Sequence, residues 1–162
     1  MARSPTIEQI ITLLEAQPRR IAGLTAGLLP AQLLYRPGPD EWSLNEILAH
    51  LRSCADVWGD CNRTIVTGDP PIIIRATNPR TWARSTNYHE LAFRPSFEAF
   101  TGQRAELLAF LRKLTPDQWE LTATVTGAGK PLERTPRFYA QWLAEHERSH
   151  IKYIERMVKP MG

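Results

Sequence analysis

Four stretches of the chain carry apolar residues at the three-and-four spacing that lines one face of an α-helix. The first runs through Ile7, Ile10, Ile11 and Leu14 and on to Ile21, Leu24 and Leu28. Thr6 stands where a hydroxyl caps a helix start, and Pro18, which lacks an amide proton, kinks or divides the helix. The second stretch opens on Ser43-Leu44-Asn45-Glu46, a capping box in which the serine hydroxyl and the glutamate carboxylate each satisfy an orphan N–H. Its apolar face continues through Ile47, His50, Leu51, Cys54, Val57, Trp58, Cys61 and Ile65. The third spans about Ser96 to Leu114 with Phe97, Phe100, Leu107, Leu108, Phe110, Leu111 and Leu114 inward, and Thr115-Pro116-Asp117 ends it. The fourth begins near Pro136 and places Tyr139, Trp142, Leu143, His146, His150, Tyr153, Ile154 and Met157 on one stripe, which points both histidines toward the core.

The intervals between these stretches are of different kinds. Leu34 to Pro39 is a turn, since two prolines forbid helix and Gly38 permits reversal. Gly68 to Pro95 is a long loop with local structure, rich in proline and carrying Arg75, Arg80, Arg84 and Arg94 against only Asp69 and Glu90. Loops of that length inside a compact domain are often lids or binding segments. Trp119 to Arg134 contains Thr122-Ala123-Thr124-Val125-Thr126 and then Gly127-Ala128-Gly129, the composition of a short extended segment or hairpin. The pattern as a whole predicts an all-α four-helix bundle with a long loop between the second and third helices and a short extended segment before the fourth.

At 162 residues the chain can bury a substantial core without staples, and one domain over 1–162 is expected. A net charge of +3, with cations dispersed among acids, gives no support to nucleic-acid binding. Cys54 and Cys61 lie seven residues apart on one predicted helix, roughly 10 Å at 1.5 Å per residue, beyond the reach of a disulfide. Neither a secretory signal nor an apolar run of membrane-spanning length is visible in the sequence, so a cytoplasmic protein without membrane partners is expected.

The chemistry concentrates in His146-Glu147-Arg148-Ser149-His150. Two imidazoles four residues apart on a helix stack one turn above each other and converge on one point, which is a common way of holding a metal ion. His50 on the second helix completes a candidate set of three nitrogen ligands that leaves coordination positions open, the pattern of catalytic rather than structural sites. For any single histidine an ordinary hydrogen-bonded side chain is the simpler reading; three at these positions favour metal. His-Glu-x-x-His also matches a zinc-protease pattern, but the downstream glycine and histidine that one such class requires are not supplied by Ile151 to Gly162, and Glu155 is too close on the same helix to be the glutamate that another class takes from a later one. Glu147 then reads as a solvent-facing or outer-sphere carboxylate. Cys54, one turn after His50, reads as core filling before a fourth ligand. His89 reads as a surface residue unless the loop folds over the metal, and the loop arginines as solvated cations, with recognition of a carboxylate-bearing substrate or a thiol cofactor as the sharper alternative.

These residues resemble the DinB-like family of small bacterial four-helix-bundle proteins. The resemblance is carried by Arg36-Pro37-Gly38-Pro39-Asp40-Glu41-Trp42-Ser43 leading into Glu46-Ile47-Leu48-Ala49-His50-Leu51, together with the late His146 and His150. It implies an unusual helix connectivity, frequent homodimers, and a divalent metal, zinc or nickel, on His50, His146 and His150. Members include S-transferases that use mycothiol, bacillithiol or glutathione and a mycothiol-dependent maleylpyruvate isomerase. Many other members have no assigned activity, so the resemblance implies the site and not the substrate; a metal-dependent enzyme acting on a small molecule, with thiol S-transfer the leading activity, is the expectation. A non-catalytic metal-binding stress or interaction protein is the alternative, and a metal-dependent hydrolase using Glu147 as base is the third. Imidazoles of ordinary pKa predict metal loss below about pH 6.5. The length and arginine content of the 68–95 segment depart from the family pattern.

Overall fold

The computed structural model describes residues 3–161. Four long helices form the bundle: α1 (Ile7–Thr25), α3 (Leu44–Thr67), α5 (Phe93–Arg112) and α7 (Pro136–Val158). Short helices α2 (Pro30–Leu34), α4 (Pro79–Ser85) and α6 (Pro116–Trp119), and strands β1 (Ile73–Arg75), β2 (Ala123–Thr126) and β3 (Leu132–Arg134), fill the connections. Three long helices start at side-chain caps. The Thr6 hydroxyl accepts from the Gln9 N–H, Ser43 from that of Glu46 and Thr135 from that of Phe138. Pro18 sits buried inside α1 without ending it. α5 begins at Phe93, three residues before the expected Ser96, because Pro95 falls in the first turn, where no intrahelical N–H is needed.

α7 packs against both α1 and α3, and α5 packs against the same two. The pairs α1/α3 and α5/α7 therefore face each other across the bundle, so that two of the three connections between successive long helices cross a diagonal. Ile10 and Leu14 from α1, Ile47 and Leu51 from α3, Phe100 and Leu111 from α5, and Leu143 from α7 are all sealed from solvent and fill the space between them. Each such side chain contributes roughly 1.5–3 kcal/mol on burial.

The loop after α3 is more ordered than its composition suggests. Ile73–Arg75 forms β1 and pairs in parallel with β2, Ile74 opposite Val125, while β2 and β3 make the expected hairpin, Val125 opposite Leu132. Ile65, Val125 and Tyr139 fasten this sheet to the end of the bundle as a second apolar cluster. The segment from α4 onward is tied down by Asp56 of α3. Its carboxylate accepts from Trp82 Nε1 at 2.9 Å, from the Tyr88 hydroxyl at 2.5 Å and from Gln103 Nε2 of α5. Cys54 and Cys61 are both free thiols.

Two residues of α7 depart from the sequence reading. Trp142 is 44% exposed and lies at the edge of the stripe, not in the core. Glu147, expected near solvent or the metal, is fully buried and ion-paired with Arg104 of α5 in the bundle interior. One residue is a rotation of about 100° around a helix. With the histidines facing α3, that step carries Glu147 to the inward side alongside Leu143 and Ile151.

Candidate metal centre

His50 stands two turns into α3, and His146 and His150 lie in the middle of α7, where these helices pack together. The structure brings all three predicted site residues to one place. His146 Nε2 is 3.2 Å from His50 Nε2 and 3.2 Å from His150 Nε2, and the trio offers one nitrogen each within 4.8 Å of one another. A neutral imidazole nitrogen carries either one proton or one in-plane lone pair, so His146 Nε2 can make a hydrogen bond to only one of its two neighbours. The remaining close contact is left without a proton between the nitrogens.

Aromatic rings hold this geometry. Trp42, just ahead of the α3 cap, stacks on His150 at 6.2 Å with an interplanar angle of 4° and lies 5.0 Å from His50. Trp58, two turns beyond His50, meets His146 edge-on at 5.2 Å. Cys54 Sγ is 3.6 Å from His50 Nε2, but the thiol is sealed from solvent, and burial, with Glu147 adding to it, pushes its pKa up to about 12. It acts as a protonated core residue.

Burial and then the neighbouring His150 and His146 push the His50 imidazole down to about 4, and burial and then His150 do the same to His146, also to about 4. Burial, followed by the charge of Arg80, lowers His150. All three are neutral at pH 7, the form that donates a lone pair. In metal-free protein the unfolded imidazoles, near 6.5, take up protons that the folded ones refuse. The contribution of His50 and His146 to stability is therefore complete above pH 6.5 and is lost progressively as pH falls toward 4, and the lowered His150 acts in the same direction. Urea midpoints of metal-free protein are expected to drop between pH 7 and pH 5, and to drop less in a His50→Phe, His146→Phe double variant.

Two small openings reach the trio. One, of about 200 Å³, is lined by His50, Trp42, Glu46, His89 and the α4 residues Arg80 and Arg84. The other, of about 450 Å³, is lined by His146, Phe138, Gln141, Trp142 and Glu145. A larger cleft, about 660 Å³, touches α4 through Trp82, contains none of these histidines and mixes Arg52, Arg63 and Arg75 with Asp56, Asp60 and Glu106. His89 is a surface residue as expected, yet the loop places it at the mouth beside His50. The structure sorts the four loop arginines. Arg94 donates to the Thr25 carbonyl at 2.7 Å, Arg75 lies on β1, and Arg80 and Arg84 line the opening at His50. The α4 residues carry a sequence signal of their own: Asn78-Pro79 is a helix start, an N-cap followed by proline at the first position, with Arg80 and Arg84 one turn apart behind it.

A family model described as the DinB superfamily matches residues 13–154. The chain belongs to this superfamily. Comparison with curated proteins finds no significant match. Among solved structures, the DinB chain is similar to one described as "YfiT from Bacillus subtilis is a probable metal-dependent hydrolase with an unusual four-helix bundle topology", with a TM-score of 0.81 and 19% identity over 100% of this chain and 93% of that one. The likeness extends to the crossed helix connectivity. No helix among the described residues is long and apolar enough to cross a membrane.

The histidine set fits a divalent cation of the kind the family implies. Two nitrogens each 2.0–2.1 Å from a tetrahedral zinc stand about 3.3 Å apart, close to the 3.2 Å spacing seen twice here. A cation would satisfy three lone pairs that no arrangement of protons on these imidazoles satisfies together.

Proposed function

We propose that this DinB protein is an enzyme that holds one divalent cation, zinc or nickel, on His50, His146 and His150 and uses it to transfer a small thiol to an electrophilic carbon. The observation that carries this reading is a trio of neutral imidazoles open on one side to cavities, beside which the buried glutamate of the His-Glu-x-x-His string is unavailable as a base. Glu46 is also engaged, by two hydrogen bonds from Arg36 at 2.7 and 2.6 Å. A cation at this position would supply Lewis acidity enough to make an arriving thiol a thiolate at neutral pH, its proton passing to solvent water, which removes the need for a protein base. The chain's own residues do the rest. Three imidazoles orient the reacting end, Trp42 and Trp58 brace the rings and keep bulk water off two sides, and the α4 segment narrows the entrance. The thiolate sulfur then forms a bond to the acceptor carbon as the leaving group departs with its electron pair.

The test is turnover of glutathione, bacillithiol and mycothiol against monochlorobimane by protein loaded with Zn²⁺ or Ni²⁺. Formation of thioether that stops on chelation and returns with metal supports the reading, and no turnover across the panel of thiols and both metals overturns it. A second reading is hydrolysis. It is favoured by Glu145, which lines the cavity beside His146 and accepts from Gln141 Nε2 at 3.1 Å. Glu145→Gln should then abolish ester hydrolysis, whereas thiol transfer should survive the substitution. If metal raises stability without turnover of either kind, the cation is a fastener between α3 and α7, the non-catalytic alternative.

The depressed histidine pKa values revise the expected acid sensitivity. Protons compete for the lone pairs only as pH approaches the folded values, so metal content after dialysis is expected to hold at pH 6 and to fall between about pH 5 and pH 4. Loss already complete at pH 6 would mean imidazoles of ordinary basicity.

A further inference from the structure

The cavity at His50 is small, about 200 Å³, and its charges are unbalanced. Arg80 and Arg84 are exposed, and neither is in an ion pair among the described residues. The one carboxylate among the described residues of the cavity wall, Glu46, is neutralised by the bidentate contact with Arg36. α4 is not free to turn its arginines elsewhere, because Trp82 is bonded to Asp56 and Ala83 is buried against the bundle. Arg80 and Arg84, one turn apart, therefore share the face that lines the cavity at His50. The Arg80 guanidinium lies 5.7 Å from the Trp42 ring, and that ring is stacked on His150, so cation, indole and imidazole form a continuous wall from the entrance to the trio. Two guanidiniums without a carboxylate partner among the described residues, in a small cavity that reaches the trio at His50, define a ligand with an anionic tail and a reacting head.

We infer that Arg80 and Arg84 form the specificity arm of the site, selecting small ligands that carry a carboxylate a few bonds from the group that reacts at the histidines. This rests on the metal reading above for the head of the ligand, while the carboxylate end rests on α4 alone. The planar guanidinium matches a carboxylate with two parallel N–H donors, which a neutral amide cannot reproduce. The carboxylate belongs either to the thiol or to the acceptor, and the probes separate these sources.

The experiment uses Co²⁺ as a spectroscopic stand-in and compares 3-mercaptopropionate with 3-mercaptopropionamide. The sulfur-to-cobalt charge-transfer band should report binding of the acid at least about 10-fold tighter than the amide, as a charge-assisted contact predicts. In the Arg80→Ala, Arg84→Ala double variant the preference should shrink to within about 2-fold, with the amide affinity and the Co²⁺ visible bands unchanged. Metal-free protein supplies an arm independent of the cation, in which propionate should shift the amide resonances of Arg80, Arg84 and Trp42 in wild type and not in the double variant. Propionate shifts without an acid-over-amide thiol preference assign the carboxylate to the acceptor; the preference assigns it to the thiol. Absence of both in wild type, or their persistence in the double variant, overturns the inference. Absence of cobalt bands with propionate shifts intact overturns the metal reading and leaves the arginine arm standing.

Discussion

Replacing His146 with alanine is expected to remove nearly all divalent-cation binding, with a larger effect than replacing either of its neighbours. His146 Nε2 lies 3.2 Å from His50 Nε2 and 3.2 Å from His150 Nε2, so its loss removes the nitrogen that is in close contact with both of the other ligands. Removing even an outer partner of a metal ligand costs about 10–100-fold in affinity, and removing this ligand should exceed 100-fold. Stability gives a readout that does not depend on knowing the substrate. At free Zn²⁺ about 100 times its dissociation constant, wild type should gain about 2.7 kcal/mol, a rise in Tm of roughly 5–10 °C for a chain of this size. The variant should gain almost nothing at the same Zn²⁺. Its metal-free form should be no less stable than metal-free wild type, because a crowded, desolvated imidazole has been removed. Equal stabilisation of wild type and variant by Zn²⁺ would place the cation elsewhere.

How much of this site the sequence discloses follows from the range of the interactions involved. His146 and His150 are a local signal, four residues apart on one helix. The Ser43 box fixes where α3 begins and hence which of its faces carries His50. The helix starts at Thr6 and Thr135 are equally local and equally legible. The parallel pairing of Ile74 with Val125 is different, since the partners are some fifty residues apart and Ile72-Ile73-Ile74 alone does not reveal what it will pair with. Glu147 is the most instructive case. An unpaired glutamate almost never lies wholly inside a protein, so the pattern reads it as outward. Its partner, Arg104, sits on a helix that only the tertiary fold brings near. The histidine stripe is consequently offset. The inward face of α7 is centred on Leu143, Glu147 and Ile151, all buried, while His146 and His150 occupy its half-buried border with α3. That border position leaves the trio reachable from solvent, which a fully inward stripe would not allow.

The same buried pair yields the largest expected effect on stability. Arg104 donates to Glu147 and, at 2.9 Å, to the Leu14 carbonyl, so one guanidinium joins α5, α7 and α1 at the centre of the bundle. Burial pushes the Glu147 carboxyl above the ordinary carboxylate range, and the Arg104 guanidinium pulls it back. Arg104→Met leaves the carboxyl inside with nothing to pull it back, at a cost of about 3–5 kcal/mol. The variant's pH dependence has a definite sign. With its folded pKa raised above the unfolded value, Glu147 binds a proton more readily when folded, so Arg104→Met should be less destabilised at pH 5 than at pH 7, relative to wild type. The double variant Arg104→Met, Glu147→Leu should recover most of the loss, since apolar residues of similar volume replace buried ion pairs at little cost. Urea midpoints at the two pH values, with the slopes compared to exclude a changed unfolded state, measure all three. Metal affinity in the double variant should match wild type, because Glu147 faces away from the trio. A double variant that stays stable but loses its cation would return Glu147 to the metal site and overturn its assignment as a core residue.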